Sequence, residues 1–378
     1  MSDDTWQLPE DQRPPPEVTA ALFAELRTAR RGVGNPSDDT NPLWAWLAAH
    51  PDINAYQVAW HFDARRMGPA TWTNARFGQS CTPLPDGRVV RIAGEHEDYY
   101  DPDFFIYNDV QITAPDGATT IFGYAPEAFP PTDFHSATLV GDDVFVIGNL
   151  GYQTDRRHGT TPVFRLDTRT FAFAPLVAAG EAPGWLHSHR ASSDGERIFI
   201  AGGLREVTFG ARVVLVDNGD DYCLDLGARR WTRTTDRQWR EWELVREDGT
   251  RGMLWHVGQL AYYRGLAADD AWAQDGRERT AAHLGFEPDL AAWEARFTPP
   301  LPAELLPQPS SDDDPGAWRF HRRMVDGVTV RYVDDDPVRV IVEGPLAAST
   351  VAILLDDLAA KLSRVEHTRY RAVPLGPW

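Results

Sequence analysis

The segment EHEDYYDPDFF, residues 95–105, has the highest density of side chains that could do chemistry. These are carboxylates, a histidine and tyrosines, namely Glu95, His96, Glu97, Asp98, Tyr99, Tyr100, Asp101 and Asp103. Carboxylate oxygens suit Ca²⁺, but their spacing here is not that of an EF-hand loop. The favoured interpretation is capture of a basic group, with the tyrosines supplying contact area. Alternatively, Arg156, Arg157 and His158 pair with these carboxylates and hold two loops together.

A second candidate site is the tripeptide His187-Ser188-His189. Residues i and i+2 of a strand share a face, so both imidazoles could bind one metal ion. A third ligand could come from His96, Asp98 or His135. An internal repeat, described below, gives His135 and His189 a structural role instead. We therefore predict no cofactor and no resident metal, with His187, His189 and His135 as the candidates if a metal binds.

The sequence lacks the short motifs of the commonest enzyme classes. It has no Gly-rich phosphate loop, no His-Glu-x-x-His, no Gly-x-Ser-x-Gly and no Cys-x-x-Cys. Its two cysteines, Cys81 and Cys223, are too few for a disulfide framework. No catalytic residue is predicted.

An internal repeat must position these side chains. HSATLVGDDVFVIGNLG starts at His135, and HRASSDGERIFIAGGLR starts 54 residues later at His189. An earlier copy, QSCTPLPDGRVVRIAGEHE, starts at Gln79. Each copy reads as a small-residue strand, an acidic turn containing glycine, and an apolar strand. Each continues into a second hairpin, at residues 107–124, 162–176 and 221–234, so a copy has four short strands.

These copies resemble Kelch repeats. The resemblance lies in the His-Ser start of a strand, the pair Gly202-Gly203, the Leu-Asp turns and the aromatic Trp231 in the last strand. It covers about residues 70–235, and it implies a mainly β fold with three recognisable blades of a Kelch-like β-propeller. Three blades do not close a ring, so we expect the flanks to complete it or leave it incomplete. The segment MGPATWT, residues 67–73, is expected to be the last strand of a preceding blade.

The flanks of the repeat have different patterns. We predict a helical N-terminal flank over residues 1–66 and the propeller blades over 67–235. A helical insertion and a Pro-rich linker follow over 236–313, including a helical pattern from Trp255 to Gln274. A small α+β segment with ββαβ order is predicted over 314–378, in which residues 349–365 form an amphipathic helix.

The order of strands predicts where a binding site lies. In a four-stranded blade, the loops between strands two and three emerge at the same side as the loops between blades. The predicted binding residues on that face are Glu95, His96, Asp98, Tyr100, Arg156, Arg157, His158, Trp185 and His187. Trp185 lies in a connection between blades, where a core role is less needed, so it is the predicted anchor.

The favoured function is a non-enzymatic protein-binding module, as Kelch resemblance implies by analogy. A bacterial immunity or regulatory factor is one form of this, because the net charge of −19 suits a basic partner and disfavours nucleic acid. The alternative is a propeller enzyme with a His/carboxylate or metal site in the axial pocket. No signal pattern or long apolar run is present, so no membrane association and a cytoplasmic location are expected. Self-association is expected if the propeller is open.

Overall fold

The computed structural model describes residues 8, 13, 14, 16, 18–53, 55–62, 70–98, 101–209, 211–308 and 319–376. The chain divides into two compact units. The first unit comprises Met1–Thr208 and Leu215–Thr235, and the second comprises Phe209–Val214 and Asp236–Trp378. The four-part division expected from the sequence stays a prediction.

The part of the chain up to Arg233, which belongs to the first unit except for Phe209–Val214, begins with helices and continues as strands. Its elements are α1 (Ala20–Leu26), β1 (Ser37–Asp39), α2 (Pro42–Ala49), α3 (Ala55–His61), β2 (Ser80–Pro83), β3 (Val89–Ile92), β4 (Glu95–Asp98), β5 (Asp101–Ile106), β6 (Val110–Thr113), β7 (Thr119–Gly123), β8 (Ser136–Val140), β9 (Asp143–Ile147), β10 (Val163–Asp167), β11 (Phe173–Pro175), β12 (Ala179–Gly180), β13 (Trp185–His187), β14 (Arg190–Ser193), β15 (Arg197–Ala201), β16 (Leu204–Phe209), β17 (Arg212–Asp217), β18 (Tyr222–Asp225) and β19 (Arg230–Arg233). A 3₁₀ helix spans Gln153–Asp155.

Three antiparallel sheets follow the three sequence copies. The first sheet contains β2, β3, β6 and β7, the second β8 to β11, and the third β14, β15, β18 and β19. Within each sheet the four strands pair in chain order, as the repeat predicts. The sheets are open, and β1 and β12 add to the edges of the first and third sheets.

Alternation along each strand places apolar side chains on both faces of the second sheet. Val144 and Val146 pack in the cluster shared with the first sheet. Phe145 and Ile147, which point the other way, pack in the cluster shared with the third sheet. Because both faces of the second sheet are covered, its strand VFVI reads as a continuous apolar run.

The N-terminal helices form their own core against the first sheet. Thr19 and Asn41 cap α1 and α2 by accepting backbone N–H groups. Trp44 of α2 stacks on Trp72 with ring centroids 5.3 Å apart. The expectation that MGPATWT forms a blade strand is wrong for its described part, residues 70–73, which make only an isolated bridge from Thr71. Trp72 is recruited by the helices instead, while residues 67–69 lie outside the described residues.

The second unit is a six-stranded sheet with helices. Its elements are β20 (Arg240–Arg246), α4 (Leu254–Gly265), α5 (Ala271–Leu284), α6 (Leu290–Ala295), β21 (Glu304–Leu305), β22 (Phe320–Val325), β23 (Val328–Val333), β24 (Val338–Val342), α7 (Ala348–Glu366) and β25 (Tyr370–Pro374). The strand order is β21-β22-β23-β24-β20-β25. One apolar face of α7 packs in the main core cluster, with Leu354, Leu358 and Leu362 buried.

One detail of the second unit differs from the sequence pattern. The helical pattern from Trp255 to Gln274 is interrupted, because α4 ends at Gly265 and α5 starts after its cap Asp270. Helix α4 has no capping side chain of its own. The buried carboxylate of Glu366 performs this task, since it accepts the Met253 backbone N–H at 2.6 Å. Within the described part of the chain, no helix is long and apolar enough to cross a membrane.

Candidate functional site

The long connections of the three sheets meet at one end of the first unit, which we call the loop end. It comprises residues 93–98, 101–109, 148–162, 202–208 and 215–221, between the second and third strands of each sheet, with the connections 124–135 and 176–189 between sheets. Backbone hydrogen bonds tie them together. Gly94 donates to Thr132, and Asn149 to Leu186 at 2.8 Å. The short hairpin turns of each sheet are not part of the loop end. Side chains from the long connections of all three copies therefore converge there.

Two of the long connections are more ordered than loops. Strands β4 and β5 form a hairpin, with Glu95 opposite Ile106. Strand β16 pairs with β13 of the preceding connection, which places Glu206 opposite Trp185. These extra strands satisfy backbone groups that would otherwise need water. They also fix the side chains of the loop end on regular structure.

An ion-paired cluster is centred on Glu206. Arg156 donates to one Glu206 carboxylate oxygen, and His158 Nε2 lies 2.8 Å from the other. Arg156 also donates to the Gly151 carbonyl oxygen at 3.0 Å. The side chains of Arg156 and Glu206 are only 14% and 12% exposed, so the pair is largely shielded from solvent. A shielded charge pair of this kind fixes geometry more than it adds stability.

A buried carboxyl group, Asp133, lies next to this cluster. It is fully buried, and its Oδ1 accepts the Gly151 N–H at 2.6 Å. Burial raises the pKa of Asp133, while the Gly151 N–H, the Glu95 carboxyl and the Arg156 charge act to lower it. A hydrogen bond between two carboxyl groups requires a shared proton, and Glu95 is also buried.

His187 completes the cluster. Its side chain is buried, and Nδ1 lies 3.0 Å from the Ser188 hydroxyl. Burial and then the Arg156 charge lower the pKa of His187 to about 4, although Glu206 opposes this. The imidazole is therefore neutral at pH 7. Its Nε2 has no hydrogen-bond partner among the residues that the structure describes.

The predicted patch is only partly brought together. Arg156, His158 and His187 surround Glu206, and Arg157 is exposed beside them. Glu95 and His96 belong to the same end but are buried, so the expectation that they form an exposed contact surface is wrong. Tyr100 and the side chain of Asp98 lie outside the described residues.

The predicted anchor Trp185 is also buried, and this prediction is wrong. The residue is 5% exposed, and its Nε1 donates to the Leu150 carbonyl oxygen at 3.1 Å. The reason is that its segment is not a free loop. It forms strand β13, which pairs with β16 and places the indole under the neighbouring connection.

His135 and His189 have a structural role, as the repeat predicts. His135 Nε2 lies 2.8 Å from the Ser80 hydroxyl, and His189 Nε2 lies 2.8 Å from the Ser136 hydroxyl. Each histidine thus joins its own sheet to the first strand of the preceding sheet. No group of three or more donors suited to a metal ion occurs among the described residues, and the candidate ligands His187, His189 and His135 do not form one.

Sequence reasoning missed Asp133 and Glu206. A signal for Asp133 exists, because it lies two residues before His135 as His187 lies two residues before His189. The two are therefore equivalent positions of consecutive copies, and Arg156 acts on the pKa of both. Glu206 has a weaker signal, a single carboxylate in the strand LREVTF.

No protein-family model matches this chain, and no match was found among curated proteins. A solved structure titled "Structure of YjhT" is similar over part of its length, with 14% sequence identity and a TM-score of 0.33. The match covers 43% of this chain and spans 53% of that chain, about half its length.

Proposed function

We propose that this chain is a non-enzymatic protein-binding module whose three sheets are blades of a Kelch-like β-propeller and whose loop end binds a basic protein. One observation carries the proposal. The Arg156–Glu206 ion pair of the loop end is shielded from solvent, whereas Phe104 of the same end is 48% exposed. A region that is held by internal ion pairs and exposes an aromatic side chain is suited to recognise a partner protein.

The strand arrangement supports the blade assignment. Each sheet is a four-stranded antiparallel meander, and the first strands β2, β8 and β14 lie side by side. Side-by-side first strands are what blades arranged about an axis require. The His–Ser contacts join these same strands.

The proposed contact surface lies around the hairpin of β4 and β5. Phe77 pairs its backbone with Glu95 and is 59% exposed. Phe104 in β5 is 48% exposed, and its ring meets Tyr152 edge-on at 5.8 Å. The sequence of the hairpin is acidic, with Glu97, Asp98, Asp101 and Asp103. Exposed aromatic side chains next to an acidic stretch of sequence suit a basic partner surface.

The test is a comparison of partner binding between matched variants. A partner captured from the source organism should bind the Phe77→Ala/Phe104→Ala variant about 30-fold more weakly, since truncated anchors cost about 2 kcal/mol. Phe199→Ala, an exposed aromatic outside the loop end, is the control and should bind normally. Affinity should also fall as salt is raised. Equal affinity of both variants would reject the proposed surface.

An enzyme is the second candidate, and Asp133 is the observation that favours it. A buried carboxyl group with a raised pKa beside an arginine is typical of general acid catalysis. Replacement of Asp133 by Asn keeps the shape but removes the proton that it could transfer. Loss of a turnover activity in Asp133→Asn, with partner binding retained, would favour the enzyme over the binding module.

A further inference from the structure

The second unit carries an exposed aromatic group on its helix pair. Tyr262 of α4 is 59% exposed and Trp272 of α5 is 55% exposed. Their rings meet at 77°, with centroids 6.5 Å apart. Large aromatic side chains are normally buried, so two exposed and mutually perpendicular rings need an explanation.

We infer that Tyr262 and Trp272 form a binding site for a quaternary ammonium group. The centroids are 6.5 Å apart, so a cation beside the pair can lie within the roughly 6 Å reach of a cation–π interaction from both rings. A quaternary ammonium spreads its charge over methyl groups and needs no hydrogen-bond acceptor, so it matches two aromatic faces.

A third ring holds the pair in place. Tyr263 meets Trp272 at 71° with centroids 5.1 Å apart. Its ring lies directly over Gly276 of α5, where an added Cβ would come within 2.6 Å of Tyr263 Cε1. A glycine inside a helix costs about 1 kcal/mol relative to alanine. At this position the glycine leaves room for the Tyr263 ring to pack against α5 beside Trp272.

The charges around the rings favour a cation. Asp269 is exposed and lies three residues before Trp272, and Asp270 caps α5. Two arginines are also near in the chain, but both are engaged. Arg264 pairs with Glu287 through two hydrogen bonds, and Arg277 donates to the carbonyl oxygens of Tyr263 and Ala268.

The test uses two compounds of the same shape and different charge. Choline carries a trimethylammonium group, and 3,3-dimethylbutan-1-ol replaces that nitrogen by carbon. The full-length protein should bind choline at least about fivefold more tightly than the neutral alcohol in ligand-observed NMR titrations at constant ionic strength. A peptide containing trimethyllysine is the parallel probe. The tighter of the two cationic probes shows whether a small molecule or a modified protein is the source.

Variants of the two rings decide whether the site is this one. Trp272→Ala and Tyr262→Ala should each weaken binding at least about fivefold, whereas Tyr262→Phe keeps the ring and should bind normally. Trp255→Ala is the matched control, because Trp255 is equally exposed on α4 but its ring neighbour is His256. Circular dichroism melts confirm that the variants fold. Equal binding of choline and the alcohol, no binding of either cationic probe, or loss only in Trp255→Ala would overturn the inference.

Discussion

Charged and polar side chains at the loop end bind one another. Glu206 holds Arg156 and His158, Asp133 holds the Gly151 N–H, and His187 is neutral beside them. Buried polar groups that lose one partner leave the other unsatisfied. The residues that look most reactive in the sequence are therefore the ones that fix the shape of this end.

Trp185 illustrates this and gives the first prediction. Its indole is buried and bonded to the Leu150 carbonyl oxygen, so Trp185→Ala should lower the free energy of unfolding by about 3–5 kcal/mol through a cavity and a lost hydrogen bond. Urea denaturation followed by fluorescence and circular dichroism measures this change. Phe104→Ala, which removes an exposed ring, should change stability by less than about 1 kcal/mol. A stable Trp185→Ala protein that loses its partner would restore Trp185 as a contact residue.

The candidate site could be predicted from the sequence only in its location. The repeat shows that residues near 95 and 156 come from equivalent connections and that 187 lies in a connection between copies at the same end, and the structure joins these connections. It does not show whether a charge points outward or toward another charge, because that depends on strand pairs such as Trp185 with Glu206. Those pairs form between segments that carry no repeat pattern, and hence no signal in one sequence.

The sheets are joined at the level of elements by paired histidine and serine residues. Ser80 and Ser136 are the first residues of β2 and β8, and each meets the histidine that precedes the next sheet. Burial lowers the pKa of His135 and of His189 to about 3. Both imidazoles are therefore neutral in the folded protein over the range in which a free histidine, with a pKa of 6.5, takes up a proton.

A pH dependence of stability follows from these two histidines. As the pH falls below 6.5 the unfolded chain binds protons that the folded chain does not. The stabilising contribution is therefore complete above pH 6.5 and is lost between 6.5 and about 3. The two groups together should add a slope of up to about 2.7 kcal/mol per pH unit. Urea titrations at pH 7, 6 and 5 measure it.

The first copy shows which residue can replace the histidine in a test of this pH dependence. Gln79 stands at this position in the first copy, where its Nε2 lies 3.3 Å from the Ala93 carbonyl oxygen. A His135→Gln/His189→Gln protein should show a flatter dependence on pH, whereas His283→Gln, at an exposed site of the second unit, should not. An unchanged slope in the double variant would mean that other groups control acid unfolding.

The strands of the three copies were predictable because apolar alternation and glycine turns are local signals. The strand VFVIG and its turn Gly141-Asp142 form β9 and its turn with β8. The partners of the outer strands were not predictable. Strand β1, only Ser37–Asp39, pairs with β7 although its sequence is polar, because the contact is made by its backbone.

At the scale of the whole molecule, the two ends of the sheet array differ. Toward the N-terminus, Phe23, Trp44 and Leu47 bury a core against the first sheet. At the other end, the outer face of the third sheet carries Arg190, Ser192, Arg197 and Thr232, with Phe199 under the Arg197 guanidinium. The first sheet thus has an apolar face that the N-terminal helices bury, whereas the outer face of the third sheet is mainly polar.

This difference predicts how fragments behave. A fragment of residues 68–236 lacks the N-terminal helices and exposes Trp72, Tyr107 and Ile121, at about 1.5–3 kcal/mol for each large apolar side chain. It should aggregate, whereas a fragment of residues 1–236 should be the more soluble of the two. Size-exclusion chromatography with light scattering compares them. A monomeric 68–236 fragment that unfolds cooperatively would show that the helices are dispensable.

The His–Ser contact also has a direction, which bears on how such a chain can grow by duplication. In the second copy, His135 contacts the serine of the preceding copy, and Ser136 contacts the histidine of the following copy. The third copy reaches back through His189 but has Arg190 where the hydroxyl would be. A gene duplication that inserted another second copy would keep every His–Ser contact, because the inserted copy contains both the histidine and the serine. A copy added after the third would have an arginine in place of the serine hydroxyl, so this contact allows new copies to be inserted inside the array but not added at its end.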